Sequence, residues 1–115
     1  MYNIEYHEEV KKDFKELGHR VTILALKKIE QIAKNPEIGK ELGNRANLNL
    51  AGFRKVYIDN KRVRIVYKII ENKITIFVIA VGKRDDMKVY KKANERLKWK
   101  QNWYLIYLKI ILIFY

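Results

Sequence analysis

The stretch AVGKRDDMKVY, residues 80–90, places two cations directly after the glycine that ends an apolar run. Two acids follow Lys83 and Arg84, and Tyr90 lies six residues after Arg84. If Gly82 joins a strand to a helix, the free N–H groups of the helix N-terminus favour an anion and the cations add full charge. The pattern predicts a phosphate-binding corner, with a solvated turn as the alternative. For Tyr90, core packing and contact with the same phosphate both stay open.

Two apolar segments earlier in the chain also carry cations at strand spacing. Because side chains alternate along a strand, FRKVYI puts Lys55 and Tyr57 on one face, and RVRIVYKII puts Arg62, Arg64 and Lys68 on one face. Cleaving RNA requires removal of the 2′-hydroxyl proton, stabilisation of the charged phosphorane, and compensation of charge on the leaving 5′-oxygen. Grouped strand cations are suited to the last two tasks.

Other chemistries have less support in this sequence. His7 and His19 lie in the nearly neutral N-terminal part, where a surface histidine usually has no catalytic role. The acids of the basic part lie at turns or at a predicted helix start, where they serve as caps. There is no cysteine and no serine, so thiolate metal sites and a serine nucleophile are excluded. We therefore expect neither a metal nor a cofactor.

The net charge of +12 is concentrated in the second part of the chain. Residues 1–47 carry nine Lys/Arg against eight Asp/Glu, whereas residues 48–115 carry sixteen against five. A surface of this kind predicts a polyanionic partner: nucleic acid, an acidic protein or an anionic membrane.

The periodicity predicts a single α+β domain that positions these cations. Residues 2–6 alternate as a strand, residues 7–18 and 20–34 have helical spacing with Gly18 as the joint, and residues 36–51 read as irregular. Three antiparallel strands follow from Gly52, the third apolar on both faces and therefore interior, and residues 85–97 return to helix. The predicted order is β-α-α-β-β-β-α, with a helical hairpin packed on a small, mostly antiparallel sheet.

The end of the chain does not fit this domain, and we treat residues 98–115 as an apolar extension of unclear role beyond a domain of residues 1–97. Residues 103–115 are apolar or aromatic except Lys109. A helix of this length would span about 20 Å, which is short for a membrane. A docked helix or strand, a poorly ordered tail and a membrane-surface contact remain open. The first residues lack the pattern of a signal peptide.

Three segments, LAGFRKVYI, RVRIVYKI and FVIAVGKRDDMKVYKKANERL, resemble the RelE/ParE toxin superfamily and, within it, the RelE-type mRNA interferases. The resemblance covers about residues 2–97. It implies a cytoplasmic toxin of a type II toxin–antitoxin system that cleaves mRNA in the ribosomal A site without a metal. It also implies neutralisation by a cognate antitoxin, which we expect to be acidic and encoded adjacently.

The resemblance also implies site residues. The family's active positions match Lys55, Arg64, Arg84 and Tyr90, which are the expected catalytic residues. A second lysine of the family would fall at Tyr57, which is a departure, so either Arg54 supplies the charge or activity is lower. The expected RNA contacts are Arg54, Tyr57, Arg62, Lys83 and Lys88. Two rival readings remain: a ParE-like inhibitor that binds DNA gyrase, and a noncatalytic basic RNA- or ribosome-binding module.

Overall fold

The structure is a computed structural model that describes residues 1–45, 48–83 and 90–96. The strands are β1 (Asn3–Tyr6), β2 (Lys40–Arg45), β3 (Leu48–Ile58), β4 (Val63–Ile70) and β5 (Thr75–Lys83). The helices are α1 (Val10–Leu17), α2 (His19–Lys34) and α3 (90–96), with short 3₁₀ turns at Pro36–Ile38 and Glu71–Lys73. The α+β fold class is confirmed. The predicted helix start at 85–89, Leu97 and the extension 98–115 lie outside the described residues.

A single glycine joins the two helices of the predicted hairpin. Gly18 has φ 88°, a left-handed value that residues with a Cβ rarely adopt. Its N–H donates to the Phe14 carbonyl at 3.0 Å, which closes α1, and Thr22 Oγ1 donates to the Gly18 carbonyl at 2.7 Å, which begins α2. The hairpin is therefore set by local chemistry, as its sequence predicts.

The five strands form one sheet in the order β1-β5-β4-β3-β2. Strands β3, β4 and β5 form the predicted antiparallel meander, and β1 adds to β5 in parallel. Strand β2 corrects the expectation that 36–51 is irregular. Its sequence, KELGNR, has almost no β-forming character, and its strand state comes from pairing with β3 at the sheet edge. A register shift between Glu41 and Gly43 and the positive φ of Gly43 are typical of an edge strand.

Each face of the sheet packs a different core. The hairpin covers one face, where Ile29 and Ile32 of α2 contact Ile65 and Val78. On the other face α3 places Tyr90 and Ala93 against Phe77 and Ile79. Residues 75–82 of β5 are buried along their whole length, which confirms the prediction of an interior strand covered on both sides. The site lies on the α3 face.

A buried carboxylate fixes α3 to the rest of the domain. Asp13 of α1 is 1 % exposed and accepts the backbone N–H of Val81 at 3.0 Å. Arg96 of α3 donates to both Asp13 carboxylate oxygens at 2.7 and 2.9 Å, and Lys92 donates to Oδ1 at 3.1 Å. Arg96 also donates to the Ile79 carbonyl at 2.8 Å. These bonds join α1, β5 and α3 at one point. Across the part of the chain that is described, no helix has the length and apolarity to cross a membrane.

Candidate active site

Four of the residues singled out from the sequence come together on the α3 face of the sheet. Lys55 and Tyr57 are two residues apart on β3 and so project to the same side. The cross-strand partner of Tyr57 on β4 is Arg64, and α3 brings Tyr90 to Arg64. We call Lys55, Tyr57, Arg64 and Tyr90 the Tyr57 cluster.

The contacts within the Tyr57 cluster are short. The Nζ atom of Lys55 donates a hydrogen bond to the Tyr57 hydroxyl at 2.7 Å and lies 4.8 Å from the centre of the Tyr57 ring. The Cζ atom of Arg64 lies 5.4 Å from the Tyr57 ring and 4.7 Å from the Tyr90 ring. Both distances are within the range of cation–π attraction. Arg64 is therefore held between two aromatic rings, with its guanidinium in a fixed position.

The two neighbouring cations alter the acidity of Tyr57. The hydrogen bond from Lys55 is the largest cause, opposed by partial burial and aided by a hydrogen bond and charge from Arg64. Together they lower the pKa of Tyr57 from 10.0 to about 8. The position at which the family resemblance expects a lysine thus carries a phenol whose pKa is about 8.

Tyr90 lies in the core, whereas a residue that stacks on a nucleotide is expected at the surface. Its side chain is fully buried and packs in the core with Phe77 and Ala93. Its hydroxyl and the Nε atom of Arg64 are both buried and lack a hydrogen-bond partner among the described residues. The Tyr90 ring thus packs against the guanidinium of Arg64 from the core side.

Three other predicted residues lie away from the Tyr57 cluster. Arg54 projects to the opposite face, where it donates to the Gly39 carbonyl at 2.7 Å and pairs with Glu41 at 3.2 Å. The structure does not bring Arg54 to Lys55, so it does not supply the charge of the missing lysine. Arg62 and Lys83 line a separate pocket with Arg20 and Asp59, between the hairpin and the β3–β4 turn.

Two predicted residues, Arg84 and Lys88, lie outside the described residues, and the expected phosphate corner at residues 82–84 is described only to Lys83. Gly82 pairs with Arg64 across β4 and β5, so the described end of this corner is next to the Tyr57 cluster.

The described residues also hold no group of three or more His, Cys, Asp or Glu side chains placed to bind a metal. Of the two histidines, His7 accepts the Glu9 N–H at 3.1 Å and packs edge-on against Phe77, which is a structural role.

Asp13 is a further residue of structural importance near the site, with Lys92 and Arg96 as its partners. The sequence carries a signal for it, because Asp13 is one turn after Val10 on the apolar side of α1, where a charged residue needs a partner. That partner could not be named from the sequence, since Arg96 is 83 positions away.

The fold and the Tyr57 cluster define a class: a small cationic α+β domain with lysine and arginine grouped on one strand face. Comparison with known proteins narrows this class. The profile of the family described as ParE toxin of type II toxin–antitoxin system, parDE, matches residues 4–87. The chain therefore belongs to this family of toxins, within the RelE/ParE superfamily.

Similar proteins include RelE toxins. The mRNA interferase toxin RelE of Escherichia coli K12 is 29 % identical over 96 residues, which cover 84 % of this chain and 97 % of that protein. A double mutant of E. coli RelE in the free state superposes with a TM-score of 0.66 at 28 % identity, covering 83 % of this chain and 96 % of the other.

Solved complexes with an antitoxin are also similar. The toxin chain of the intact E. coli RelBE toxin–antitoxin complex superposes with a TM-score of 0.61 at 27 % identity, covering 75 % of this chain and all of the other. The RelBE2 complex of Mycobacterium tuberculosis, at 21 % identity and a TM-score of 0.61, shares the fold over 72 % of this chain and 98 % of the other.

Proposed function

We propose that this toxin is an endoribonuclease that cleaves mRNA in the ribosomal A site by attack of a ribose 2′-hydroxyl on the adjacent phosphate. The observation that carries the proposal is the Tyr57 cluster, in which two cations and an acidified phenol meet on one strand face. The similarity to proteins named mRNA interferase adds support. A ribosomal target implies a cytoplasmic protein.

The proposed roles follow from charge and position. Arg64 holds a phosphate oxygen and stabilises the negative charge that develops on the phosphorane, because its guanidinium is already oriented before substrate binds. Lys55 has two N–H donors beyond the one given to Tyr57 and can bind a second phosphate oxygen. Tyr90 is a positioning residue that acts through Arg64. Arg84 is assigned to the phosphate by sequence resemblance alone.

The proposed partners are mRNA on the ribosome and a cognate antitoxin. The similar RelE structures include complexes with an antitoxin. The excess of cations in residues 48–115 is suited to an acidic antitoxin segment, which would compete with RNA for the same charges.

Substitution of Arg64 tests the proposed function. Purified toxin, freed of antitoxin, is added in excess to ribosomes that carry a defined mRNA, and single-turnover cleavage is followed. Loss of a preorganised donor typically costs about 10²–10³ in rate, so Arg64→Ala should cleave that much more slowly. Arg62→Ala removes the same side chain two residues away, in the separate pocket, and should cleave at nearly the wild-type rate. Equal cleavage by wild type and Arg64→Ala would contradict the assignment.

A second candidate function has one specific observation in its favour, which is that the matching family profile is that of ParE. A ParE-like toxin would bind DNA gyrase and would not cleave RNA. Inhibition of supercoiling by the purified toxin at stoichiometric concentration, without cleavage of ribosome-bound mRNA, would favour this alternative.

A further inference from the structure

The proposed cleavage requires a group that removes the 2′-hydroxyl proton. Such a group works best when it ionises near the working pH and lies beside the cations that bind the phosphate. Lys55 is poorly suited, because its Nζ already acts as a donor to Tyr57. His7 is poorly suited as well, because its Nδ1 atom already accepts the backbone N–H of Glu9 at the start of α1.

Tyr57 meets both requirements. Its hydroxyl oxygen receives the Lys55 hydrogen bond at 2.7 Å, and Arg64, its cross-strand partner, lies over its ring at 5.4 Å. The side chain is partly exposed, whereas Tyr90 on the other side of Arg64 is fully buried. Tyr57 is thus the phenol of the Tyr57 cluster that a nucleotide can reach.

Among the described residues, the charged groups that act on Tyr57 favour its ionised form, and only its partial burial opposes it. They are Lys55 on the same strand and Arg64 on β4, while α3 contributes the uncharged Tyr90. The causes that shift the pKa of Tyr57 include no carboxylate of the described residues. With a pKa of about 8, roughly a quarter of the phenol is ionised at pH 7.5, whereas an ordinary phenol is almost wholly protonated there.

We infer that Tyr57 is the general base of the cleavage step, a role that rests on the proposed endoribonuclease function. The Tyr57 phenolate takes the proton of the 2′-hydroxyl while the 2′-oxygen forms a bond to phosphorus. The P–O5′ bond breaks, its electron pair leaves on the 5′-oxygen, and water protonates that oxygen. The products are a 2′,3′-cyclic phosphate end and a 5′-hydroxyl end, and Tyr57 returns the proton to solvent. Lys55 holds the phenolate in place through its hydrogen bond to the Tyr57 oxygen.

The pH dependence of single-turnover cleavage on programmed ribosomes tests this role. For the wild type, the logarithm of the rate should rise with pH and level off near pH 8, as the base becomes fully ionised. Tyr57→Phe keeps the ring and should lower the plateau rate by about 10²-fold and remove the inflection. Tyr6→Phe, the same change on β1, should leave both the rate and the inflection unaltered.

A third variant shows whether Tyr57 acts as a general base or only supports the structure of the site. Replacement of Tyr57 by 3-fluorotyrosine keeps the ring and the hydroxyl but makes the phenol more acidic, so the inflection should move to lower pH. The ultraviolet absorbance of tyrosinate should show the same ionisation near pH 8 in the wild type, at lower pH in the fluorotyrosine protein, and not at all in Tyr57→Phe.

The possible failures are distinguishable. If Tyr57→Phe is folded by circular dichroism and cleaves with the wild-type rate and inflection, the general-base role is wrong and the endoribonuclease function stands. An inflection that does not move with fluorotyrosine also overturns the role. If the wild type cleaves no ribosome-bound mRNA at any pH, the proposed function fails and the role of Tyr57 fails with it.

Discussion

At the scale of single residues, the surroundings of Arg64 matter because they hold its guanidinium in one position. An arginine side chain loses about 2 kcal/mol of rotamer entropy when it is held in one position. Here the Tyr57 and Tyr90 rings hold it during folding, so that cost is not incurred again when the phosphate binds. A guanidinium is more weakly hydrated than an ammonium, which suits it to a place between two rings. Lysine at position 64 would keep the charge and lose this geometry.

Substitutions of Tyr90 should distinguish the function of its ring from that of its hydroxyl. Tyr90→Phe keeps the ring over Arg64 and removes a buried hydroxyl that has no partner among the described residues. Since an unpaired buried polar group costs about 1–3 kcal/mol, the melting temperature should stay the same or rise, with cleavage within a few-fold of wild type.

Tyr90→Leu fills the apolar space but has no π face, and it should lower single-turnover cleavage by about tenfold. Both variants are compared by thermal melting and by the cleavage assay. If Tyr90→Phe cleaves as poorly as Tyr90→Leu, the hydroxyl takes part in the reaction and the ring is not the active feature.

At the scale of elements, the position of α3 depends on Asp13, a residue far from it in the sequence. Asp13 on α1 joins α3 to β5 through Arg96 and Lys92. Burial acts to raise the pKa of Asp13, but the hydrogen bonds from Arg96, Val81 and Lys92 and the charge of Arg96 outweigh it, so the pKa is lowered. A carboxyl whose pKa is lower in the folded state stabilises the fold above its unfolded pKa, and this stability is lost as the pH falls through the folded value.

Asp13→Ala should destabilise the fold and displace Tyr90. Removal of one partner of a buried ion pair typically costs about 3–5 kcal/mol in the free energy of unfolding, because Arg96 is left buried and unpaired. We expect slower cleavage that is not made much slower by adding Tyr90→Leu, since both changes release Arg64.

Urea unfolding at several pH values and a double-mutant cycle measure these effects. The stability difference from wild type should shrink as the pH falls from the ordinary aspartate range through the lowered folded-state pKa of Asp13. Glu9→Gln removes a partly exposed carboxylate at the start of the same helix and should change stability by less than about 1 kcal/mol. Additive losses from Asp13→Ala and Tyr90→Leu would show that α3 is not the link between the two residues.

The sequence was sufficient for elements with a strong apolar pattern and insufficient for those set by distant contacts. Strand β4 could be predicted because its two faces differ in polarity, and strand β5 because both of its faces are apolar. Strand β2 could not, because only its pairing with β3 makes its polar residues a strand.

The same distinction holds within the site. Alternation on β3 places Lys55 and Tyr57 on one face and Arg54 on the other. Strand geometry alone therefore shows that Arg54 cannot replace the charge of the lysine that is missing at position 57. Alternation could not be extended to Arg62, because the turn before it contains three residues with positive φ: Asp59, Asn60 and Lys61. The lowered pKa of Tyr57 comes first from Lys55, two residues away on the same strand, and is aided by Arg64 from another strand, whose position no local pattern shows.

At the scale of the whole molecule, the uneven charge predicts how the toxin finds its target. For the proposed ribosomal target, the excess of cations in residues 48–115 should make long-range attraction to RNA strong at low salt. Such attraction releases counterions and depends steeply on salt, whereas the chemical step depends on a few fixed groups. Affinity and cleavage rate should therefore be separable by mutation.

Ribosome affinity should fall steeply with salt, and the slope of log affinity against log salt should measure the number of phosphate contacts. Lys61→Gln and Lys91→Gln each remove an exposed cation outside the Tyr57 cluster. Each lysine that contacts phosphate should reduce the slope by about 1, while the rate at saturating toxin stays at the wild-type value. Arg64→Ala should differ in the saturated rate, which should fall by about 10²–10³-fold, while the loss of its one proposed phosphate contact changes the slope by about 1 at most. Binding of labelled toxin to ribosomes across a salt series, with cleavage measured on the same samples, tests both arms. A flat salt dependence, or a saturated rate that falls with each lysine removed, would mean that the cationic surface acts in the chemical step and not in finding the target.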